Sequence, residues 1–346
     1  GAIYAADAVR DGAGWRIRTE LPPLGSRLFV AEKKATRGPR PSPRPVGCET
    51  RREAIPDKPW TIRRSEPNVL TLDRCGLRIA GGPALPPCDV LAADRRIREH
   101  LGLPPRGGRM EQPWARVKSK KSRRVAVELR FTFRAAVLPD GPLALALEQP
   151  ECFEIEINGH AIAPDAANGW WTDESLRTLP LNPAALRLGE NAVTLRLTYD
   201  EEFSGLEALH LLGEFGARVD GAETALTTLP TTLRLGDWCA QGFPFYGGNL
   251  TYVRRVRIET SSDERVFLRL PDYRGIAARI WADGAAAGVI AWEPNEVEIT
   301  EAARRAAGGE IELGIEILGH RRNSHGPLHY SERHPWWTGP AQFQPA

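Results

Sequence analysis

The residues whose types suggest chemistry lie in loop-like stretches. Trp170-Trp171-Thr172-Asp173 sets two indoles beside a carboxylate, and Trp336-Trp337 sets two more near the C-terminal end. A sugar ring offers an apolar C–H face that stacks on indole while nearby polar groups take its hydroxyls, so this combination suits carbohydrate contact. Such pairs also serve as packing plugs between domains. Gly319-His-Arg-Arg-Asn-Ser-His-Gly-Pro-Leu-His329 adds hydrogen-bonding groups. The expected carbohydrate-binding set is therefore Trp170, Trp171, Asp173, Arg322, Asn323, His325, Trp336 and Trp337.

Other chemistries find less. Hydrolysis of a glycosidic bond by paired carboxylates needs them to face each other across about 5–9.5 Å. Asp173-Glu174 and Glu201-Glu202 are sequence neighbours, which point apart on a strand, so no catalytic residue is expected. His320, His325, His329 and His334 recur at intervals of five, four and five, without an HExxH motif or a supporting cysteine, so no metal site is expected. Cys48, Cys75, Cys88, Cys152 and Cys239 are odd in number and contain no C-x-x-C pair, which predicts isolated thiols rather than a disulfide framework. Nucleophile-elbow, P-loop and dinucleotide-binding glycine motifs are absent, and no cofactor is called for.

Composition narrows the class further. The 346 residues, 42% hydrophobic and 26% charged, suit a globular chain with room for two or three domains. A net charge of +2, with the basic Lys118–Arg124 run lacking interleaved aromatics, gives no case for a nucleic-acid partner. No apolar run reaches about 18 residues, so no membrane-spanning helix is expected. Arginine greatly outnumbers the 6 lysines, and alanine, glycine and proline abound, a GC-rich coding habit rather than a functional signal. The compartment stays open, with an extracellular or periplasmic setting favoured over a cytoplasmic one. The start at Gly1 suggests a fragment.

The elements that must carry these loops read as strands. From Val125 to Phe133, Val125, Val127, Leu129, Phe131 and Phe133 alternate with Ala126, Glu128, Arg130 and Thr132, and Ile311 to Ile317 alternates with glutamates. One wet and one apolar face belong to an antiparallel sandwich. A repeat is legible. Phe153–Ile157, the turn pair Asn158-Gly159, the segment Leu179–Asn191 and the strand Val193–Tyr199 are echoed by Ala278–Ala282, Asp283-Gly284, Val297–Ala303 and Gly308–Ile317. Asp89 to Gly102 predicts a capped helix with Val90, Ile97 and Leu101 on one face. Trp15–Arg18 and Arg27–Val30 predict a hairpin, and Trp60–Ile62 and Val69–Ile79 further strands. Trp238 and Tyr246 are expected to fill the second core. Residues 32–59 include a basic, Pro-rich stretch that predicts a solvated loop, and Thr227–Thr232 predicts a hinge.

In this order of parts the chain resembles the galactose-binding-like jelly-roll modules of large glycoside hydrolases, of the β-galactosidase and α-L-rhamnosidase sugar-binding-domain type. The resemblance covers roughly residues 120–346. It includes Gln241-Gly-Phe-Pro-Phe-Tyr-Gly-Gly-Asn-Leu-Thr-Tyr252, which is similar to the opening strand of such a module, and the Gly319–His329 stretch, which is similar to a segment near the end of these enzymes. The fold expected is mainly β: a partial β-sandwich with a short helix over 1–120, then tandem antiparallel jelly-roll β-sandwiches over 121–222 and 228–346. The resemblance implies a non-catalytic C-terminal region of a bacterial glycoside hydrolase, with carbohydrate and an upstream catalytic barrel of the same polypeptide as partners. The modules it resembles sometimes hold a structural calcium ion. A stand-alone carbohydrate-binding or adhesion protein is the alternative, and the orphan strands near residues 15–30 favour the former.

Overall fold

The computed structural model describes residue 6 and residues 8–19, 28–31, 51–104 and 123–325. The chain is mainly β, with antiparallel sheets of the β-sandwich class and two α-helices among the described residues. It divides into two compact units, each discontinuous in sequence. One comprises Glu66–Pro230, Asp237–Gly247 and Arg321–Ala346; the other comprises Gly1–Ser65, Thr231–Gly236 and Gly248–His320.

The larger unit is built around two long strands, Arg124–Ala135 and Gly189–Asp200, paired along their whole length. Every second residue of Arg124–Ala135 is buried, as the alternation requires, because a strand turns successive side chains to opposite faces. These strands are central in an eight-stranded sheet. Glu154–Ile157 and His160–Ile162 continue it on one side; Arg74–Ile79, Leu85–Asp89, Glu223–Thr227 and Gly216–Asp220 continue it on the other. A five-stranded sheet runs in the order Trp170–Trp171, Asp173–Leu181, Leu143–Glu148, Leu209–Gly213, Asn68–Leu72. One hydrophobic cluster takes Leu129, Phe131, Val193 and Leu195 from the first sheet and Leu70, Leu145, Leu179 and Leu211 from the second, so the unit is a sandwich with a single core. Helix Val90–His100 starts where Asp89 accepts a hydrogen bond from the Ala92 amide, and it stops before Gly102 at φ +64°. It buries Val90, Ala93 and Ile97 in that core, and its Asp94 accepts a 2.7 Å hydrogen bond from the buried Tyr199 hydroxyl.

The smaller unit holds a six-stranded sheet in the order Thr232–Leu233, Trp60–Arg64, Leu250–Arg257, Glu310–Ile317, Ala278–Ala282, Ala285–Ile290. Trp60, Leu250, Ile280 and Ile311 are fully buried. A two-stranded sheet of Phe267–Arg269 and Glu296–Glu298 approaches closely, since a Cβ added to Gly288 would stand 3.1 Å from Val297.

The repeat is present at atomic detail. In both units the neighbour order is second hairpin strand, first hairpin strand, closing strand, opening strand. Both hairpins turn through two consecutive left-handed residues, Asn158-Gly159 at φ +50° and +86° and Asp283-Gly284 at +50° and +75°, as tight hairpin turns require. The turn residue also grips the closing strand. The Asn158 amide donates to the Ala192 carbonyl and its Oδ1 accepts from the Ala192 amide; Asp283 does the same with Glu312. In the larger unit the grip extends to Asn191, fully buried, whose Oδ1 accepts from Asn158 Nδ2 and the Arg187 amide while its Nδ2 donates to the Arg187 and Gly189 carbonyls.

Several expectations are corrected. Gly14–Ile17 pairs with the preceding Ala8–Asp11 rather than with residues near Val30, and this hairpin is wholly exposed. Trp60–Arg64 and Asn68–Leu72, both within the stretch read as a partial sandwich, hydrogen-bond into the sheets of different units. The opening strand of the second copy is Leu250–Arg257, whereas the preceding aromatic segment belongs to the larger unit, with Phe245 in its core. Trp238 and Tyr246 lie in that segment and pack edge-on to each other, so they do not fill the second core. Asn68 Nδ2 anchors the segment through the Gly242 carbonyl at 2.9 Å. Residues Thr300–Ala306 form a helix where the first copy has the short 3-10 turn Pro183–Ala185. The basic stretch Lys33–Pro45 lies outside the described residues.

Replacing Asn191 by alanine takes the side-chain partner from the Arg187 amide and from the Arg187 and Gly189 carbonyls, and leaves Asn158 Nδ2 with the Ala185 carbonyl alone. We expect a loss of about 1–3 kcal/mol of unfolding free energy, measured by denaturant titration.

Candidate functional site

The larger unit brings together two groups that are far apart in sequence. Trp170 and Trp171 form the edge strand of the five-stranded sheet, and residues Arg321–Ser324 belong to the same unit. Trp171 is 7% exposed; its ring centroid lies 4.8 Å from that of His210, and the Arg321 guanidinium carbon lies 5.9 Å from the indole. Arg321 is in turn held by Glu66 through two hydrogen bonds of 2.5 and 2.8 Å. A cation stacked on indole and tied to a carboxylate is a firm anchor.

His210 and Thr71 face each other across strands Leu209–Gly213 and Asn68–Leu72, and both are buried. Thr71 Oγ1 lies 3.1 Å from His210 Nδ1 and 3.3 Å from the Ser324 carbonyl. A carbonyl only accepts, so the hydroxyl gives its one proton to Ser324 and receives the Nδ1 proton of His210. Asn323 Nδ2 donates to the Cys239 sulfur at 3.2 Å, and burial pushes that thiol up to about 12. Trp171 Nε1, Thr172 Oγ1 and Ser324 Oγ are buried with no hydrogen-bond partner among the described residues. Thr172 sits at φ +66°, a strained conformation for a β-branched residue, and its turn swings Asp173 back to pair with Trp171.

The same two segments carry exposed groups. Trp170 is 57% exposed, on the edge strand next to the buried Trp171. Asp173 accepts a 2.8 Å hydrogen bond from the Ser175 amide, which holds its carboxyl below the ordinary aspartate value. Arg322 is exposed and Asn323 half-buried. The His325 side chain, Trp336 and Trp337 lie outside the described residues.

Sequence reading placed Trp171, Arg322, Asn323 and His325 among the candidate residues and Arg321 among the hydrogen-bonding groups of the loop, but missed His210, Thr71 and Glu66. The signal for His210 was its place within Ala-Leu-His-Leu-Leu, where a lone imidazole in an otherwise apolar strand implies a polar partner. Nothing in the sequence signalled Glu66.

The same unit carries a trough of about 910 Å³ lined by Arg78, Glu128, Phe153, Arg196, Asp200 and Phe203 among others. Arg196 is committed there to Glu128 at 2.8 Å and to Glu156 at 3.0 and 3.2 Å, which holds Glu156 below the ordinary glutamate value. Glu207, which lines a smaller adjoining cavity with Gln149, Phe153 and Phe203, is exposed overall. Even so, the protein packed around its carboxyl, with Glu148 and Asp94 adding like charge, pushes it up to about 7. Among the described residues, no group of three or more His, Cys, Asp and Glu is placed to hold a metal ion.

No family model matches this chain, and no curated protein matches it. Among solved structures it is similar to a rhamnosidase from Novosphingobium sp. PP1Y, at 14% identity and TM-score 0.25 over 65% of this chain and 22% of that one. It is also similar to a β-D-mannosidase from Dictyoglomus thermophilum, at 12% identity and TM-score 0.28 over 73% of this chain and 31% of that one. An anti-sigma factor domain-containing protein aligns at 10% identity and TM-score 0.17, over 57% of this chain and 76% of that one. The chain thus spans less than a third of the length of either glycosidase. At TM-scores this low the likeness transfers no activity.

Two outcomes are expected here. Trp171→Ala removes a buried indole and unstacks Arg321, so unfolding free energy should fall by about 3–5 kcal/mol in denaturant titration. For Glu207 the folded carboxyl keeps its proton up to about 7, while the unfolded chain releases it near 4.5. Its contribution to stability is therefore fully present below 4.5 and is lost as pH rises through 7. Melting temperature scanned from pH 4 to 8 should fall across that window by less in Glu207→Gln than in the unmutated protein.

Proposed function

We propose that this chain is the non-catalytic, carbohydrate-associated part of a glycoside hydrolase. Its sandwich units support or complete the sugar site of a catalytic barrel carried elsewhere in the same polypeptide. The reading takes both units to be jelly rolls of the galactose-binding-like type, and it is supported by their shared neighbour order and by the matching turn clamps at Asn158 and Asp283.

The observation that carries the sugar-binding part is the edge of the five-stranded sheet. The buried rings of Trp171 and His210, with the partly exposed Arg321 guanidinium over the indole, make a firm base, and the next residue on the edge strand, Trp170, is 57% exposed, with Asp173 and Arg322 exposed on the two segments that the cluster joins. An indole fixed by its backbone neighbours offers a saccharide a flat face at little entropic cost, and exposed carboxylate and guanidinium groups suit its hydroxyls. Trp171 is the structural member of the pair and Trp170 the contacting one.

Retention of the purified chain on rhamnose- and galactose-containing polysaccharides by affinity electrophoresis tests this. Trp170→Ala should weaken retention about 2- to 10-fold with melting temperature unchanged, the range expected for loss of one aromatic stack. Equal retention of the unmutated and substituted chains would remove Trp170 from any sugar site.

A further inference from the structure

Cys75 and Cys88 stand directly opposite each other on the antiparallel strands Arg74–Ile79 and Leu85–Asp89. Residues in register across such a pair put their side chains on the same face, with Cβ atoms about 4.5–5.5 Å apart. Both side chains do lie on one face: Cys75 is 1% and Cys88 8% exposed, and both belong to the core cluster of the larger unit. Both are free thiols here. We propose that Cys75 and Cys88 are a cross-linking site, two thiols that a low-molecular-weight disulfide converts into a cross-strand disulfide bond closing the 75–88 hairpin.

The geometry needs little movement. A disulfide spans Cα atoms about 4.4–6.8 Å apart and Cβ atoms about 3.5–4.5 Å apart, so closure takes about an ångström. Leu85–Asp89 is free to supply it, since among the described strands it pairs on one side alone, with Arg74–Ile79, and the register slips between Cys75 and Leu77. Cys75 is the more constrained partner, because its strand is also paired to Arg124–Ala135 with Cys75 opposite Phe131. Cys88, on the edge strand, is the one a reagent reaches first.

The exchange balances without any other reactant. The Cys88 sulfur, after losing its proton, attacks one sulfur of the small disulfide and expels one small thiol. The Cys75 sulfur then attacks Cys88 in the mixed disulfide and expels the second. Two protein thiols are oxidised, one small disulfide is reduced to two thiols, and the protons end on those thiols. Burial raises both protein thiols above the ordinary cysteine value, so the reaction is slow and quickens with pH.

The test treats the full chain with oxidised glutathione, alkylates what remains, and maps peptides by mass spectrometry. The exposed Cys152 serves as internal control, since it should take up glutathione as a mixed disulfide. The expected result is a Cys75–Cys88 linked peptide lighter by two hydrogens. A melting temperature several degrees higher should accompany it and be reversed by reductant. In Cys75→Ser, Cys88 should instead retain glutathione. Cys75 and Cys88 both recovered as alkylated thiols while Cys152 is modified would overturn the proposal. So would a stable glutathione adduct on Cys88 of the unmutated chain, or a bridge joining either residue to another cysteine.

Discussion

The structure depends on a two-point clamp between a turn and a strand. Wherever the hairpin reverses, at Asn158 or Asp283, the turn residue gives its amide to the closing strand and takes that strand's amide on its side-chain oxygen. A backbone bond alone would tolerate sliding by two residues, since that restores the same facing pattern. The added side-chain bond ties one residue of the turn to one residue of the closing strand, and so removes that freedom. Once Ala192 is tied, Val193, Leu195 and Leu197 fall on the inward face opposite Ile157, Ile155 and the Arg124–Ala135 strand. The cores then follow from alternation.

The two units execute the clamp with different resources. The larger one backs it with Asn191, whose four side-chain hydrogen bonds occupy every donor and acceptor the amide has. In the smaller one a carboxylate stands at the turn, and helix Thr300–Ala306, with its buried Ala302 and Ala303, precedes the closing strand. Asparagine at the turn offers a donor as well as an acceptor and so can give a hydrogen bond to the Oδ1 of Asn191; aspartate at Asp283 offers acceptors alone. The same topology thus supports a polar network in one copy and a helix in the other.

What was legible in the sequence was what local rules govern. Alternation from Val125 to Phe133 and from Ile311 to Ile317, the Asn-Gly and Asp-Gly turns, and the Asp89 cap depend on neighbours a few residues away. What escaped was partnership at long range. Trp60–Arg64 and Asn68–Leu72 read alike as short strands with three residues between them, yet each completes a different sheet. The Gly-Phe-Pro-Phe-Tyr stretch near Gly242 reads as a strand opening only by its resemblance to such modules, but the Asn68 hydrogen bond and the burial of Phe245 hold it in the other unit. At the candidate site, tryptophan pairs stood out by type alone. The sequence could not show that Trp171 lies under a guanidinium and an imidazole while Trp170 lies open, since alternation puts the two on opposite faces without saying which face is covered.

The interleaving of the two units bears on how the chain emerges from a ribosome. Trp60–Arg64 is made early, yet its sheet neighbours Thr232–Leu233 and Leu250–Arg257 are among the later segments to appear. During that interval the nascent polypeptide carries an unmatched strand with a large indole meant for an interior, the kind of segment that invites association with other chains. Asn68–Leu72 waits less, because Leu209–Gly213 arrives sooner. Synthesis of this protein should therefore lean on holding factors that shield Trp60 until its neighbours exist, and a slower passage through the intervening codons would lengthen that need.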